Sequence, residues 1–174
     1  MQQMMLLVTP LIPALRRYAV SLLRDRSDAD DLVQDTLELA ITRWHQRRDD
    51  SSVRSWLFAI VHNLAISRLR QQRRRGGAHL PIDDAGEAVL AMPPRQEAGL
   101  QHRDLVRALD ALHEDQRSVL LLVTVEGLSY AETAEVLGIP TGTVMSRLSR
   151  ARDRMIQLMD GEAVAQRPIL RRLK

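Results

Sequence analysis

At 174 residues the chain has room for one large domain or two small ones, each burying a core of its own. Hydrophobic residues make up 45% and charged residues 27%, which excludes a disordered chain of low hydrophobicity. With no cysteine, disulfides, thiolate nucleophiles and cysteine-based zinc sites are excluded, and the composition fits a reducing cytosol. The formal net charge is only +3, but the charges are segregated. Five acids and no base lie between Asp28 and Glu38, whereas five arginines and no acid lie between Arg68 and Arg75.

Uninterrupted apolar runs, such as Val119 to Val123, are far shorter than the roughly 20 residues that cross a bilayer. Met1 to Val8 is apolar but has neither a basic flank nor a small-residue cleavage site, so it makes a poor secretory signal. The expectation is a cytoplasmic protein with no membrane insertion.

The first helix predicted by spacing carries Ile12, Leu15, Ala19, Leu22 and Leu23 and ends near Arg24. Ser27 reads as the N-cap of a second, with Asp28, Asp30 and Asp31 in its first turn, where the helix dipole favours acids. Its apolar stripe runs Leu32, Val33, Thr36, Leu37, Ala40, Ile41 and Trp44, leaving Asp31, Gln34, Asp35 and Glu38 on the other face. After the polar stretch Gln46 to Ser52, a third helix buries Trp56, Leu57, Ile60, Val61, Leu64 and Ala65 and ends in the arginine run.

Residues 73–102 hold half of all glycines and three of the seven prolines, the composition of a linker. Beyond it Leu105, Ala108, Leu109 and Leu112 recur at helical spacing, followed by a helix from about Asp115 to Glu126 closed by Gly127. Ser129 and Glu132 form an S-x-x-E capping box for a short helix. Gly138 can turn left-handed, and Pro140 cannot continue that helix, so a new one starts near Thr141. A short helix, a glycine turn and a longer helix make a helix-turn-helix, whose second helix enters the major groove of DNA. On that helix Thr143, Arg147, Arg150 and Arg154 fall within an arc of roughly 60°, beside an apolar stripe of Val144, Leu148, Ala151 and Met155. Arginine forks suit guanine edges and phosphates, and hydroxyls near the helix start suit phosphate oxygens.

The expected fold is therefore all-α: two small helical domains on a flexible linker, the C-terminal one holding the helix-turn-helix. Boundaries fall at 1–75, 76–102 for the linker, 103–160, and 161–174 for a basic tail with Arg167, Arg171, Arg172 and Lys174.

These residues resemble the extracytoplasmic-function sigma factors, the small two-domain members of the sigma-70 family. DADDLVQDTLELAITRW (Asp28 to Trp44) is similar to the core-polymerase-binding helix of region 2, and SWLFAIVHNLAISRLRQQRRR (Ser55 to Arg75) to the helix of minus-10 recognition. Leu109 to Met155 resembles region 4, with the signature GTV-x-SRL-x-RAR at Gly142 to Arg152. The resemblance implies a stress-response type of sigma factor that binds core RNA polymerase and promoter DNA, usually restrained by an anti-sigma factor. It implies that Asp30, Asp31, Gln34 and Asp35 meet the polymerase, and that Thr143, Ser146, Arg147, Arg150 and Arg154 meet the minus-35 element. Asn63, Arg68 and Arg70 would serve the minus-10 element, with the polar loop from Gln46 to Ser52 lining the pocket of a flipped base. Two departures from the family pattern stand out. His113 replaces the usual proline opening a region 4 helix, and Met145 replaces the usual Arg or Lys after GTV.

Two other readings share the helix-turn-helix: a repressor or activator acting without polymerase, and a sigma mimic that occupies regulators only. An enzyme is not expected. The five histidines are dispersed, there is no H-E-x-x-H and no glycine-rich phosphate loop, so neither metal nor cofactor is implied.

Overall fold

The computed structural model describes residues 2–47, 52–74 and 96–165. Most of the predicted linker, the centre of the polar loop after Gln46 and the last nine residues lie outside these. Helices α1 (Gln2–Val8), α2 (Ile12–Leu23), α3 (Arg26–Arg43) and α4 (Val53–Arg74) build the N-terminal domain. Helices α5 (Gln96–Asp110), α6 (Glu114–Leu120), α7 (Tyr130–Leu137) and α8 (Thr141–Ala165) build the C-terminal one. No strand occurs among the described residues. Helix α5 opens at Gln96, seven residues inside the segment read as linker.

Gln2–Leu23 contains an 18-residue window of mean hydropathy 1.4, so by length and composition it is apolar enough to span a bilayer, contrary to the expectation from unbroken runs. A 3-10 turn over Thr9–Leu11, holding Pro10, divides it. Its second half is the core helix α2, in which Leu15, Tyr18, Ala19, Val20, Leu22 and Leu23 are all buried. Arg24 ends it in the left-handed conformation at φ 58°, its amide donating to the Val20 carbonyl at 2.8 Å. The chain then re-enters a helix two residues earlier than expected. Asp25, not Ser27, is the N-cap of α3, its carboxylate accepting from the Asp28 amide at 2.8 Å. An extended residue at that position, φ −138° and ψ 126°, is what capping geometry requires.

In α3 the predicted stripe is buried at Leu32, Val33, Thr36 and Ala40, while Ile41 lies half outside. Thr36 is tolerated in the core because its hydroxyl donates to the Leu32 carbonyl at 2.8 Å. Helix α4 buries Leu57, Val61 and Ala65 as expected, and also Phe58 and Leu69. Phe58 meets Tyr18 edge-on with ring centroids 5.5 Å apart, and Trp44 meets Trp56 at 5.9 Å.

The two domains were expected to keep separate cores. Instead one cluster runs through both: Leu121, Leu122, Leu128 and Val136 join the residues of α2, α3 and α4. A second cluster, from Ala108, Leu112, Val119, Leu120, Val144, Leu148, Ala151 and Met155, belongs to the C-terminal domain alone. The cause is the run Val119 to Val123. Consecutive apolar residues cover a helix all round, and such a helix is buried on opposite sides. The split is assisted by one π-helical turn over Leu121–Val125, where the Glu126 amide donates to the Leu121 carbonyl at 2.9 Å. Gly127, at φ 67°, then turns the chain into α7.

Candidate polymerase and nucleic-acid interfaces

The acidic face comes from the outer side of α3. Asp30, Asp31, Gln34, Asp35 and Glu38 are exposed there because Ala29, Leu32, Val33 and Thr36 take the inner side. Neighbouring helices already partner two of these carboxylates. Arg16 of α2 reaches Asp30 at 2.5 Å, and Arg68 of α4 reaches Asp35 at 2.5 Å. Gln34 donates to Glu38 at 3.0 Å. Asp31 lies exposed between them. Sequence reasoning missed these pairings, since Arg16 and Arg68 are 14 and 33 residues from their partners.

On α4 the structure separates the three residues singled out for the minus-10 element. Asn63 and Arg70 are exposed. Arg68 is turned towards α3: beyond its pair with Asp35 it donates to the Asp28 carbonyl at 2.9 Å. It thereby ties the helix of the acidic face to the helix of the arginine run.

The helix-turn-helix forms as its sequence dictates. Both arms of the capping box are present: the Glu132 amide donates to Ser129 Oγ at 3.2 Å and the Ser129 amide donates to Glu132 at 2.9 Å. The Ser129 amide, and with it the Ser129 hydroxyl, which donates to the same carboxylate oxygen at 2.8 Å, hold the Glu132 carboxyl below its ordinary range. Gly138 closes α7 at φ 63°. Helix α8 then buries Val144, Leu148, Ala151 and Met155, the predicted stripe. Thr143, Ser146 and Arg147 are half-buried and Arg150 and Arg154 exposed. Arg147 pairs with Asp115 of α6 at 3.1 Å, and Ser146 donates to the Thr143 carbonyl at 3.1 Å. His113, the departure before α6, acts as N-cap with Nδ1 accepting from the Asp115 amide at 3.4 Å.

The domains meet through buried polar groups that the sequence did not reveal. Glu126, with a side chain only 1% exposed, accepts both arms of the Arg17 fork and lies 3.4 Å from Arg54. Arg54 also donates to the Glu126 carbonyl. Arg117, 5% exposed, donates to the carbonyls of Leu109, Asp110 and Leu112 at 2.9–3.1 Å, closing the end of α5. It reaches the Ser21 carbonyl of α2 at 3.3 Å as well. Burial lowers its pKa to about 10, which leaves it charged. Arg24 pairs with Asp110 at 3.1 Å and Arg73 with Glu114 at 2.5 Å. Tyr18 and His62 Nδ1 share a hydrogen bond at 3.0 Å in the same region, and burial lowers the His62 pKa to about 4.

An acidic helix face, an arginine-ended helix and a helix-turn-helix on one body define a promoter-recognition protein of the sigma-70 type. Residues 102–155 match the family described as Sigma-70, region 4, and residues 8–62 match the Sigma2 domain of PhyR. The ECF RNA polymerase sigma factor EcfG of Rhodopseudomonas palustris is 37% identical over 151 residues, covering 85% of this chain and 80% of its own. The ECF sigma factor SigM of Mycobacterium tuberculosis is 36% identical over 145 residues, covering 83% and 71%. Among solved structures, the sigma factor RpoE of Bartonella quintana in complex with the anti-sigma factor NepR matches with a TM-score of 0.74 and 34% identity, covering 91% of this chain and 96% of that one. CnrH in complex with the cytosolic domain of CnrY matches with a TM-score of 0.68 and 28% identity, over 92% and 89%.

The chain belongs to the ECF RNA polymerase sigma factors. It is thus a transcription initiation factor, which acts by binding core RNA polymerase and directing it to promoter DNA.

Proposed function

We propose that α3 is the polymerase-facing helix, with Asp30, Asp31, Gln34 and Asp35 making the contact. The observation that carries this is four polar residues exposed on one side of a helix whose other side is buried at Ala29, Leu32, Val33, Thr36 and Ala40. Asn63 and Arg70 of α4, with Arg68 after it leaves Asp35, meet the minus-10 element. Thr143, Ser146, Arg147, Arg150 and Arg154 of α8 meet the minus-35 element. Domain boundaries near 75 and 102 fit this division of labour, and cytoplasmic action on the chromosome follows from it. The chain works as a binding factor with no catalytic site of its own.

An anti-sigma factor holds the protein between uses. Support comes from the relatives solved with NepR and CnrY and from the closed packing of the two domains, in which α7 lies against α4. Sites on α4 and α8 engage promoter elements set well apart along DNA, so this packing opens when holoenzyme forms.

Run-off transcription with core polymerase of the source bacterium and a genomic promoter library tests the reading. Promoter-specific transcripts that require the chain, and are lost with Asp31→Arg, are expected. Absence of such transcripts with a folded protein and active core overturns it in favour of a repressor or a mimic. Asp31 is chosen because Asp30 and Asp35 also hold Arg16 and Arg68.

A further inference from the structure

The outward arc of α8 carries hydroxyls and arginines with a single large apolar side chain among the residues of its first three turns. That side chain is Met145, 54% exposed. Its neighbours along the helix leave it uncovered. Gly142, three residues before, offers no side chain, and a Cβ there would find no heavy atom within 4 Å. Ser149, four residues on, is exposed and short. At 100° per residue Met145 lies about 90° from the centre of the buried row Val144, Leu148, Ala151 and Met155, so packing within the domain does not claim it. An unbranched thioether therefore stands free on the half of a recognition helix whose residues meet base edges.

The chemistry of the groove limits what this group can recognise. Base edges in the major groove present hydrogen-bond donors and acceptors, and one apolar feature, the 5-methyl of thymine. A methionine offers no donor for guanine or phosphate, but it gains by covering a methyl. We propose that Met145 packs against a thymine 5-methyl in the minus-35 element and makes one position of that element selective for thymine. The inference rests on α8 being the minus-35 reader.

The experiment begins with holoenzyme containing the full chain selecting promoters from DNA randomised across the minus-35 segment. Each thymine of the selected element, on either strand, is then replaced singly by deoxyuridine, which deletes the methyl and keeps every hydrogen-bonding group. Binding should weaken about fourfold at one position, the ratio that burial of one methyl group supplies. Met145→Ala should bind the thymine and deoxyuridine forms of that position equally while still melting at the wild-type temperature. The inference is overturned if no replacement weakens the wild-type complex, if Met145→Ala keeps the same penalty, or if the selected element contains no thymine. Arg150→Ala separates the two levels. Should it leave the preference for the minus-35 element intact, the reading of α8 itself fails; should it abolish the preference while Met145→Ala changes nothing, only the methionine inference fails.

Discussion

Arg17 of α2 and Glu126, 109 residues later, face each other as a fork on a carboxylate, Nε to Oε1 and Nη2 to Oε2 both at 2.9 Å. The carboxylate is buried and the guanidinium one-third exposed, so the pair is bidentate and partly desolvated. Removing one member leaves the other charge without its partner, which is costly where the site is dry. Glu126→Ala should lower stability by about 2–3 kcal/mol, below the fully buried range because Arg17 and Arg54 keep access to solvent. Thermal melting measures that loss. Small-angle scattering should show a larger radius of gyration at neutral pH, and an unchanged radius would mean that the apolar contacts of Leu121, Leu122, Leu128 and Val136 suffice to close the domains.

His62 supplies a pH dependence. Its pKa is about 4 in the folded protein, lowered by burial against the opposing pull of Asp115, and about 6.5 when free in water. Between these values the unfolded chain takes up a proton that the folded one does not, so stability falls as pH drops from about 6.5 towards 4. Above that window both states are neutral at His62 and its contribution is flat. Complete titration is worth about 3 kcal/mol. Urea titrations at pH 7 and 5 should differ in midpoint for the wild type, and His62→Gln should remove most of the difference. Glutamine is chosen because its amide can donate or accept, as the bond shared by Tyr18 and His62 requires, and does not titrate.

The C-terminal domain was the more legible half because its signals are local. A capping box spans four residues, a left-handed glycine is one, and the stripe of α8 is four at helical spacing; all formed where the sequence placed them. Ser129→Ala should therefore behave as simple loss of a cap, costing about 1 kcal/mol and shifting the melting temperature without altering which promoters are transcribed.

What was illegible is long-range. The pairs Arg16–Asp30, Arg17–Glu126 and Arg68–Asp35 depend on helix packing that no periodicity encodes, and each involves a residue that in sequence looks like ordinary surface charge. Ser27 reads as a cap by residue type alone, and Asp25 is as good a type; only the backbone turn at Arg24 puts the helix start at Asp25. The shared core was missed for a related reason. Val119 to Val123 is apolar on all sides, and amphipathic reasoning assigns one face to one core.

Asp115 holds Arg147 at 3.1 Å, so a residue proposed for minus-35 contact is partly neutralised before DNA arrives. Exposure of the pair is substantial on both sides, and it should contribute little to stability. Its effect should show in DNA binding instead. With Asp115→Asn, Arg147 no longer exchanges a carboxylate for a phosphate and is available to the duplex outright. Non-specific DNA affinity of holoenzyme should rise, and the dependence of log K on log salt should steepen by up to about one unit, the signature of one further phosphate contact. Arg147→Ala should cancel the rise in the double variant. If Asp115→Asn raises affinity equally in the absence of Arg147, the gain comes merely from deleting a negative charge near the duplex, and Asp115 has no specific hold on the recognition helix.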